Sequence, residues 1–219
     1  MDEQSLLNAI AGSTYVVHLA SPFFHSSEAD KLITPAVNGT KYVMAACKAA
    51  RVRRLVITSS VASIMNPTEA DKPADRVYDE SYWSNEDRIE GLSNYPKSKV
   101  LAEKAAWDFQ AALPDDQKFE IVTICPGFVM GPPLRKEPFT SGGWMKRLME
   151  GDMDIISADH CCAVDVRDVG FAHLQAVKIA EAANRRFILV QSSPSFQEYA
   201  LPVFEKYYPL GWPITLNRA

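Results

Sequence analysis

A regular alternation of short apolar runs with long helical segments constrains the fold more than any other feature of the sequence. The runs Tyr15 to Ala20, Arg54 to Thr58 and Ile121 to Cys125 have the length and the aliphatic content of buried strands. Apolar residues at helical spacing predict helices over Lys31 to Ala50 and Tyr95 to Ala112, between these strands. Strands that alternate with helices of this length predict an α/β fold, a doubly wound parallel sheet with helices on both faces.

The pattern is less regular beyond Gly131. A proline-containing loop is followed by a predicted short helix over Gly142 to Glu150 and a predicted short strand over Ala163 to Val166. Three further elements are predicted towards the C-terminus: a helix over Asp168 to Ala182, a strand over Arg186 to Val190, and a helix over Phe196 to Tyr207 that Pro202 breaks.

Residues suited to close backbone approach follow each of the first three strands: Ala20-Ser21, Ser59-Ser60 and Pro126-Gly127. In an open parallel sheet, ligands bind at the carboxyl ends of the strands, where the strand order reverses. The three strand ends are therefore predicted to line one crevice. Three apolar residues that follow strand ends are candidates either for the wall of a substrate pocket or for ordinary core packing: Phe23, Phe24 and Met65.

Tyr95 and Lys99 stand four residues apart at the start of a predicted helix. Residues i and i+4 share a helix face, so the phenol and the ammonium can point into one cleft. A neighbouring positive charge favours the phenolate, which predicts a Tyr95 pKa lowered from its ordinary value of about 10. A hydroxyl of Ser59 or Ser60 would then hold a substrate oxygen. Chance alone gives roughly 0.4 such Tyr-Lys pairs in this composition, so the weight of the pair comes from the preceding strand that ends in hydroxyl residues.

The composition argues against several other classes of protein. Hydrophobic residues make up 47% of the 219 residues, and the net charge of -4 comes mostly from interspersed charges. The basic cluster Arg51, Arg53 and Arg54 is interpreted as a solvated turn, so no nucleic-acid partner is predicted. The acidic, polar start is neither a secretory signal nor a transit peptide, and no apolar stretch reaches the roughly 18 residues of a membrane helix.

The four cysteines form no C-x-x-C pair, and Cys47 and Cys125 lie in apolar runs. This usage indicates a reducing compartment, so we predict a cytoplasmic protein with no membrane partner. The Asp-His-Cys-Cys segment at 159–162 contains adjacent cysteines, which do not readily bind one tetrahedral ion, and no metal site is predicted. The absence of a G-x-S-x-G sequence argues against a hydrolase.

Five segments, in order, resemble the extended short-chain dehydrogenase/reductases: VVHLASPF, PAVNGTKYVMAACKAARVRRLVITSS, YPKSKVLAEKAAWDF, ICPGFVMGP and VDVRDVGFAH. The resemblance is greatest to the branch of cinnamoyl-CoA reductase, dihydroflavonol reductase and the yeast-type aldehyde (methylglyoxal) reductases. It implies a Rossmann-like fold that is incomplete at its N-terminus. Residues 1–131 would form the dinucleotide-binding part, and residues 132–219 mainly a small substrate-binding lobe whose remaining elements return to the sheet, in one structural unit.

The resemblance also implies roles for individual residues. Tyr95 would be the catalytic acid, and Lys99 would bind the nicotinamide ribose and tune Tyr95. Ser60 would orient the substrate carbonyl, with Ser59 as the less favoured alternative. Further cofactor contacts are implied for Leu19, Ala20 and Ser21, and, beside the nicotinamide, for Pro126, Gly127, Phe128 and Val129. Members of this branch mostly use NADPH, so NADP is the expected cofactor and NAD the alternative.

The sequence departs from the family pattern at its start. Family members open with a strand, a G-x-x-G-x-x-G turn and a helix whose N-terminus holds the pyrophosphate, and the ten glycines here contain no such spacing. Met1 aligns with the approach to the family's fourth strand, so an exposed apolar sheet edge is expected. The sequence thus looks like a gene-model fragment, a splice form or a degenerate relative.

These observations predict an NADP-dependent oxidoreductase that reduces an aldehyde or ketone to an alcohol through a Ser-Tyr-Lys triad. Its partner would be a small-molecule carbonyl substrate. Two alternatives stay open. One is a nucleotide-sugar epimerase or a hydroxysteroid dehydrogenase of the same superfamily, and the other is a catalytically silent member that acts as a binding or subunit protein.

Overall fold

The computed structural model describes residues 3–22, 28–75, 77–86, 94–134, 136, 140–153 and 155–214. The helices are α1 (Glu3–Ile10), α2 (Ala29–Ala49), α3 (Asn94–Ala111), α4 (Thr140–Met149), α5 (Val166–Lys178) and α6 (Phe196–Tyr207). The strands are β1 (Tyr15–His18), β2 (Arg54–Thr58), β3 (Glu120–Pro126), β4 (Phe128–Met130), β5 (Ala163–Asp165) and β6 (Arg185–Leu189). Within the described ranges, every helix is too short or too polar to cross a membrane.

The chain forms two compact units. The first consists of Met1–Pro126 and Gly170–Leu189, and the second of Gly127–Val169 and Val190–Ala219. The first unit contains a four-stranded sheet in the order β1-β2-β3-β6, and the second contains the strand pair β4-β5. The domain boundary placed at residue 131 from the resemblance stays a prediction.

Every neighbouring pair of strands in the first sheet is parallel. Val17 lies opposite Val56, and Ile57 lies opposite Thr123. The predicted α/β fold with a parallel, Rossmann-like sheet is therefore confirmed. β1 forms one edge of the sheet, and its Tyr15 and Val17 side chains are 39% and 41% exposed.

Helices cover both faces of this sheet, which explains why the central strands are almost wholly apolar. On one face, Met44 of α2 packs in a core with Leu55 of β2 and Ile121 of β3. On the other face, Val56 packs with Ala176 of α5. Adjacent strand residues point to opposite faces, so Leu55 and Val56 serve different cores. Each such buried aliphatic side chain contributes about 1.5–3 kcal/mol to folding.

The second unit has its own core, formed mainly between α4 and α6. Leu148 of α4 and Ala200 of α6 are buried there together with Ile156 and Ile214. The ring of Trp144 lies 5.3 Å from that of Phe196 and 6.0 Å from that of Phe128, centroid to centroid.

Most predicted elements occur within a few residues of their expected bounds. β2 has the predicted bounds, whereas β1 ends at His18 instead of Ala20 because the chain leaves the sheet two residues earlier. The short helix α1 and the strand β4 were not predicted. Among the candidates for a pocket wall, Phe23 and Phe24 lie outside the described residues.

The predicted break at Pro202 is wrong, because α6 continues through it. A proline inside a helix removes one backbone hydrogen bond. Here the helix start is held by a capping box in which Ser195 and Glu198 bond to each other's backbone N–H groups. Val203 and Phe204, which follow the proline, pack on the core of the second unit. The cap and the packing together offset the lost bond.

Candidate active site

The parallel strands of the first unit all end at the same side of the sheet, which we call the carboxyl edge. Leu19 follows β1, Ser59 and Ser60 follow β2, and Pro126 ends β3. Ser59 also continues the bonding of the sheet, since its backbone N–H donates to the Ile124 carbonyl over 2.7 Å. This is the edge at which parallel sheets bind ligands.

Ser60 occupies the turn that leaves β2. It adopts an extended backbone conformation and caps a short 3-10 turn over Val61–Ser63, where its hydroxyl accepts from the Ala62 N–H over 3.2 Å. Ser60 is 8% exposed. Its side chain also forms a hydrogen bond with the phenol of Tyr95. The serine hydroxyl and the phenol are thus directly linked.

Tyr95 and Lys99 lie in the first and second turns of α3 and share one helix face, as their spacing predicts. The Lys99 Nζ lies 5.7 Å from the centroid of the Tyr95 ring. Lys99 is 7% exposed, and Tyr95 is half-buried. The structure therefore brings Ser60, Tyr95 and Lys99 together in the first unit.

The predicted lowering of the Tyr95 pKa is wrong for this structure. Burial raises the pKa of the phenol above its ordinary value, and the hydrogen bond from Ser60 lowers it by less. Desolvation disfavours the phenolate, and here it outweighs the neighbouring donor. Tyr95 is consequently a protonated phenol at neutral pH, which is the form that a proton donor requires.

The pKa of Lys99 lies close to the physiological range. Burial lowers the pKa of Lys99 to about 8, while the charge of Glu103 opposes the decrease. His18, at the end of β1, has its pKa lowered to about 4 by burial and by the positive charge of Lys99. His18 is therefore neutral at pH 7, and Lys99 is mostly charged.

Ser59 and Ser60 have different surroundings. The Ser59 hydroxyl donates to the buried carboxylate of Glu103 over 2.5 Å, whereas the Ser60 hydroxyl bonds to Tyr95. The arrangement thus favours Ser60 over Ser59 as the hydroxyl that accompanies Tyr95. Glu103 was not among the predicted site residues, although its position four residues beyond Lys99 was a signal for it.

The remaining predicted contacts divide between the two units. After β1, Leu19 is 60% exposed, Ala20 is exposed and Ser21 is half-buried, so this backbone is accessible to a ligand. In the second unit, a Cβ atom on Gly127 would lie 1.8 Å from the Cys162 carbonyl oxygen. Only glycine fits there. Phe128 and Val129 follow in β4, and the cofactor contacts assigned to residues 126–129 stay predictions.

Comparison with known proteins gives a consistent set of relatives. The sequence matches the family described as 3-beta hydroxysteroid dehydrogenase/isomerase over residues 1–191. Cinnamoyl-CoA reductase 1 of Arabidopsis thaliana is 33% identical over 213 residues, which cover 92% of this chain and 59% of the reductase. Ketoreductase azaE of Aspergillus niger is 35% identical over 199 residues, which cover 84% of this chain and 57% of that protein.

Solved structures agree with these relatives. The yeast methylglyoxal/isovaleraldehyde reductase Gre2, complexed with NADPH, matches with a TM-score of 0.83 and 28% identity over 98% of this chain and 66% of that chain. Gre2 of Candida albicans, also in complex with NADPH, matches with a TM-score of 0.80 and 31% identity over 98% and 67% of the two chains. The chain spans between 57% and 64% of the lengths of eight curated relatives, among them the cinnamoyl-CoA reductase and the ketoreductase.

Proposed function

The chain belongs to the 3-beta hydroxysteroid dehydrogenase/isomerase family, among the extended short-chain dehydrogenase/reductases, and on that premise we propose that it is an NADP-dependent reductase of an aldehyde or ketone. One observation carries the proposal. The hydroxyl of Ser60 is bonded to the phenol of Tyr95 beside the buried ammonium of Lys99, at the carboxyl edge of a parallel sheet.

Each of these three side chains has a distinct task in the reduction of a carbonyl. Tyr95 holds the proton that the carbonyl oxygen receives, and its raised pKa keeps that proton in place until charge develops on the oxygen. When a carbonyl is bound, the Ser60 hydroxyl would turn its single proton from the phenol to the same oxygen and so orient it. Lys99 supplies a positive charge next to the phenol, which stabilises the phenolate left after proton transfer.

The residues of this edge fit the nicotinamide half of the cofactor. When bound, NADPH supplies the hydride that reaches the carbonyl carbon. Lys99 would donate to the hydroxyls of the nicotinamide ribose, since an ammonium carries donors only. The accessible backbone of Leu19, Ala20 and Ser21 would approach the same half, and Pro126 to Val129 would lie beside the nicotinamide.

The names of the relatives support a carbonyl substrate. They include a cinnamoyl-CoA reductase, a ketoreductase and a methylglyoxal/isovaleraldehyde reductase. All three act on a carbonyl group, whereas their remaining substrate structure differs. We therefore assign the chemical class, a small aldehyde or ketone, in preference to a nucleotide sugar.

The proposal is tested by the oxidation of NADPH, followed at its absorbance maximum, with methylglyoxal, isovaleraldehyde and cinnamaldehyde as substrates. We expect carbonyl-dependent oxidation that Tyr95→Phe reduces by at least roughly 10²-fold, because the variant lacks only the transferred proton. The dissociation constant for NADPH should change little in that variant. Equal rates in wild type and Tyr95→Phe contradict the mechanism, and no carbonyl-dependent rate in wild type favours the catalytically silent alternative.

A pair of variants distinguishes the role of the Lys99 charge from that of another positive charge on the same helix. Lys99→Met should weaken NADPH binding and lower turnover together, because the ammonium serves both the ribose and the phenol. Lys97→Met removes the same charge two residues earlier on α3 and should leave both quantities nearly unchanged. Similar losses in the two variants would show that the position of Lys99 has no special role.

A further inference from the structure

The carboxylate of Glu103 lies one helical turn beyond Lys99 and is 2% exposed. It accepts hydrogen bonds from side chains on four separate parts of the first unit. Ser59 at the end of β2 and Ser63 in the following turn donate to Oε2 over 2.5 and 2.7 Å. Thr123 of β3 and Arg186 of β6 donate to Oε1, each over 2.8 Å.

These contacts enclose the turn that carries Ser60. Ser59 and Ser63 flank that turn in sequence, and both hydroxyls converge on the same carboxylate oxygen. The Ser63 hydroxyl also approaches the Ser60 carbonyl at 2.8 Å. The backbone of Ser60 is thereby fixed relative to α3, the helix that carries Tyr95 and Lys99.

Glu103 remains ionised in this buried place. Burial raises the pKa of the carboxyl, but the hydrogen bond and the charge of Arg186, together with the serine donors, bring the pKa below its usual range. Arg186 is itself held by the backbone carbonyls of Glu80 and Tyr82, over 2.6 and 2.7 Å. A buried negative charge therefore lies one helical turn beyond Lys99, and its attraction raises the pKa of the Lys99 ammonium.

We propose that Glu103, held by Arg186, is a positioning residue that keeps the Lys99 ammonium charged and fixes the Ser60 turn against α3. The inference rests on the proposed function for its catalytic meaning. Glu103 acts through Lys99 and Ser60. Both of its carboxylate oxygens accept hydrogen bonds from protein side chains, so the proposed role involves no contact with substrate or cofactor.

The other groups near Lys99 cannot replace this charge. Cys125 of β3 has its pKa raised to about 12, so its thiol is neutral where Lys99 titrates. His18 of β1 is neutral above about pH 4. Tyr95, on α3, has a raised pKa and stays a neutral phenol in the same range. Among these neighbours, Glu103 is therefore the negative charge that supports the ammonium.

The test measures the pKa of Lys99 directly, by NMR detection of lysine Nζ and Cε in the labelled 219-residue chain, with Lys99→Arg to assign the signal. We expect Lys99 to titrate near 8 in wild type and at about 7 or lower in Glu103→Gln, because desolvation is then unopposed. Asp108→Asn removes a carboxylate from an exposed position of the same helix and should leave the titration unchanged.

An unchanged Lys99 pKa in folded Glu103→Gln overturns the proposal. If that variant does not fold, the pair variant Glu103→Gln/Arg186→Gln is titrated in its place. It also removes the Arg186 cation, which repels the Lys99 ammonium, so we expect a decrease in the Lys99 pKa that is smaller than in the single variant, and an unchanged pKa again overturns the proposal. A wild-type Lys99 that titrates at the ordinary value of about 10.4 overturns the proposal without any variant.

Turnover gives a second readout that a purely structural defect would not produce. Relative to wild type, Glu103→Gln should lose at least about fivefold in rate at pH 8, where the charged fraction of Lys99 falls from about one half to about one tenth or less. It should recover most of the rate at pH 6, where Lys99 is charged again. An equal loss at both pH values contradicts the role in charging Lys99. The NMR titration needs neither cofactor nor turnover, so a chain that shows the pKa decrease but reduces no carbonyl contradicts the proposed function alone.

Discussion

The guanidinium Nε of Arg186 donates to Glu103 Oε1 over 2.8 Å, and these two side chains are 8% and 1% exposed. An ion pair at this depth gains little net stability, because removing both charges from water costs nearly as much as their attraction returns. Its main effect is geometric, since it connects the last strand of the sheet to α3. The Cζ atom of Arg186 also lies over the ring of Trp83, 3.7 Å from its centroid.

Removing one partner of this ion pair should therefore lower the free energy of unfolding by far more than the intact pair contributes to it. Arg186→Met leaves an uncompensated carboxylate in the core and should lower the free energy of unfolding by about 3–5 kcal/mol. Arg185→Met, at the adjacent exposed position over Phe187, should cost less than about 1 kcal/mol. Urea denaturation followed by tryptophan fluorescence measures both, and equal losses would contradict the buried-pair argument.

Ser59 and Ser60 provide an internal comparison of structural and catalytic hydroxyls. Ser59→Ala removes a hydrogen bond to the buried Glu103 carboxylate and should cost about 1.5–3 kcal/mol of stability, with a smaller effect on turnover. Ser60→Ala removes the partner of Tyr95 and a weak turn cap, so it should cost within about 1 kcal/mol of stability but roughly 10²-fold in kcat. The opposite pattern would transfer the carbonyl-orienting role to Ser59.

The sequence alone was sufficient to predict those parts of this site that are formed by residues close together in the chain. The aliphatic run of β2 and the hydroxyls after it are contiguous, and the Tyr95 to Lys99 spacing is a property of any helix. The first feature is read from a short continuous apolar run and the second from the helical period of 3.6 residues, and one sequence reveals both. The α3 helix accordingly begins and ends within one residue of its prediction.

Contacts between residues far apart in the chain could not be predicted from the sequence in this way. Arg186 is separated from Glu103 by 83 residues, and no local pattern distinguishes it from the exposed Arg185 beside it. The raised pKa of Tyr95 also depends on burial, which the spacing does not reveal. The strand β4 was missed because Pro126-Gly127 reads as the end of a strand, whereas pairing with β5 restarts one immediately.

The cysteines should differ sharply in reactivity, because only an accessible thiolate attacks a disulfide reagent. Burial raises the pKa of both Cys47 and Cys125 to about 12 and also raises the pKa of Cys161, and all three are buried. Cys162 is partly exposed. With Ellman's reagent at pH 8, we expect one fast thiol in the native chain, absent in Cys162→Ser, and all four after unfolding in urea. More than one fast native thiol would contradict this burial pattern.

Two glycines of the second unit should respond oppositely to the same added methyl group. In Gly127→Ala the new Cβ would lie 1.8 Å from the carbonyl oxygen of Cys162. This oxygen belongs to the backbone, so rotation of a side chain cannot relieve the overlap. The Phe128 N–H bonds to that same oxygen, so relief of the clash would pull β4 away from β5. We expect a loss of about 1–3 kcal/mol or more in the free energy of unfolding.

Gly143→Ala is the matched control, because it lies inside α4. Apart from its chain neighbours and the backbone of its own helix, no atom of the described residues lies within 4 Å of the added Cβ. Replacing a glycine inside a helix by alanine stabilises by about 0.5–1 kcal/mol, since the unfolded chain loses backbone freedom. Thermal unfolding should therefore shift downward for the first variant and upward for the second. A tolerated Gly127→Ala would mean that the close approach of residues 127 and 162 is not required for β4 and β5 to pair.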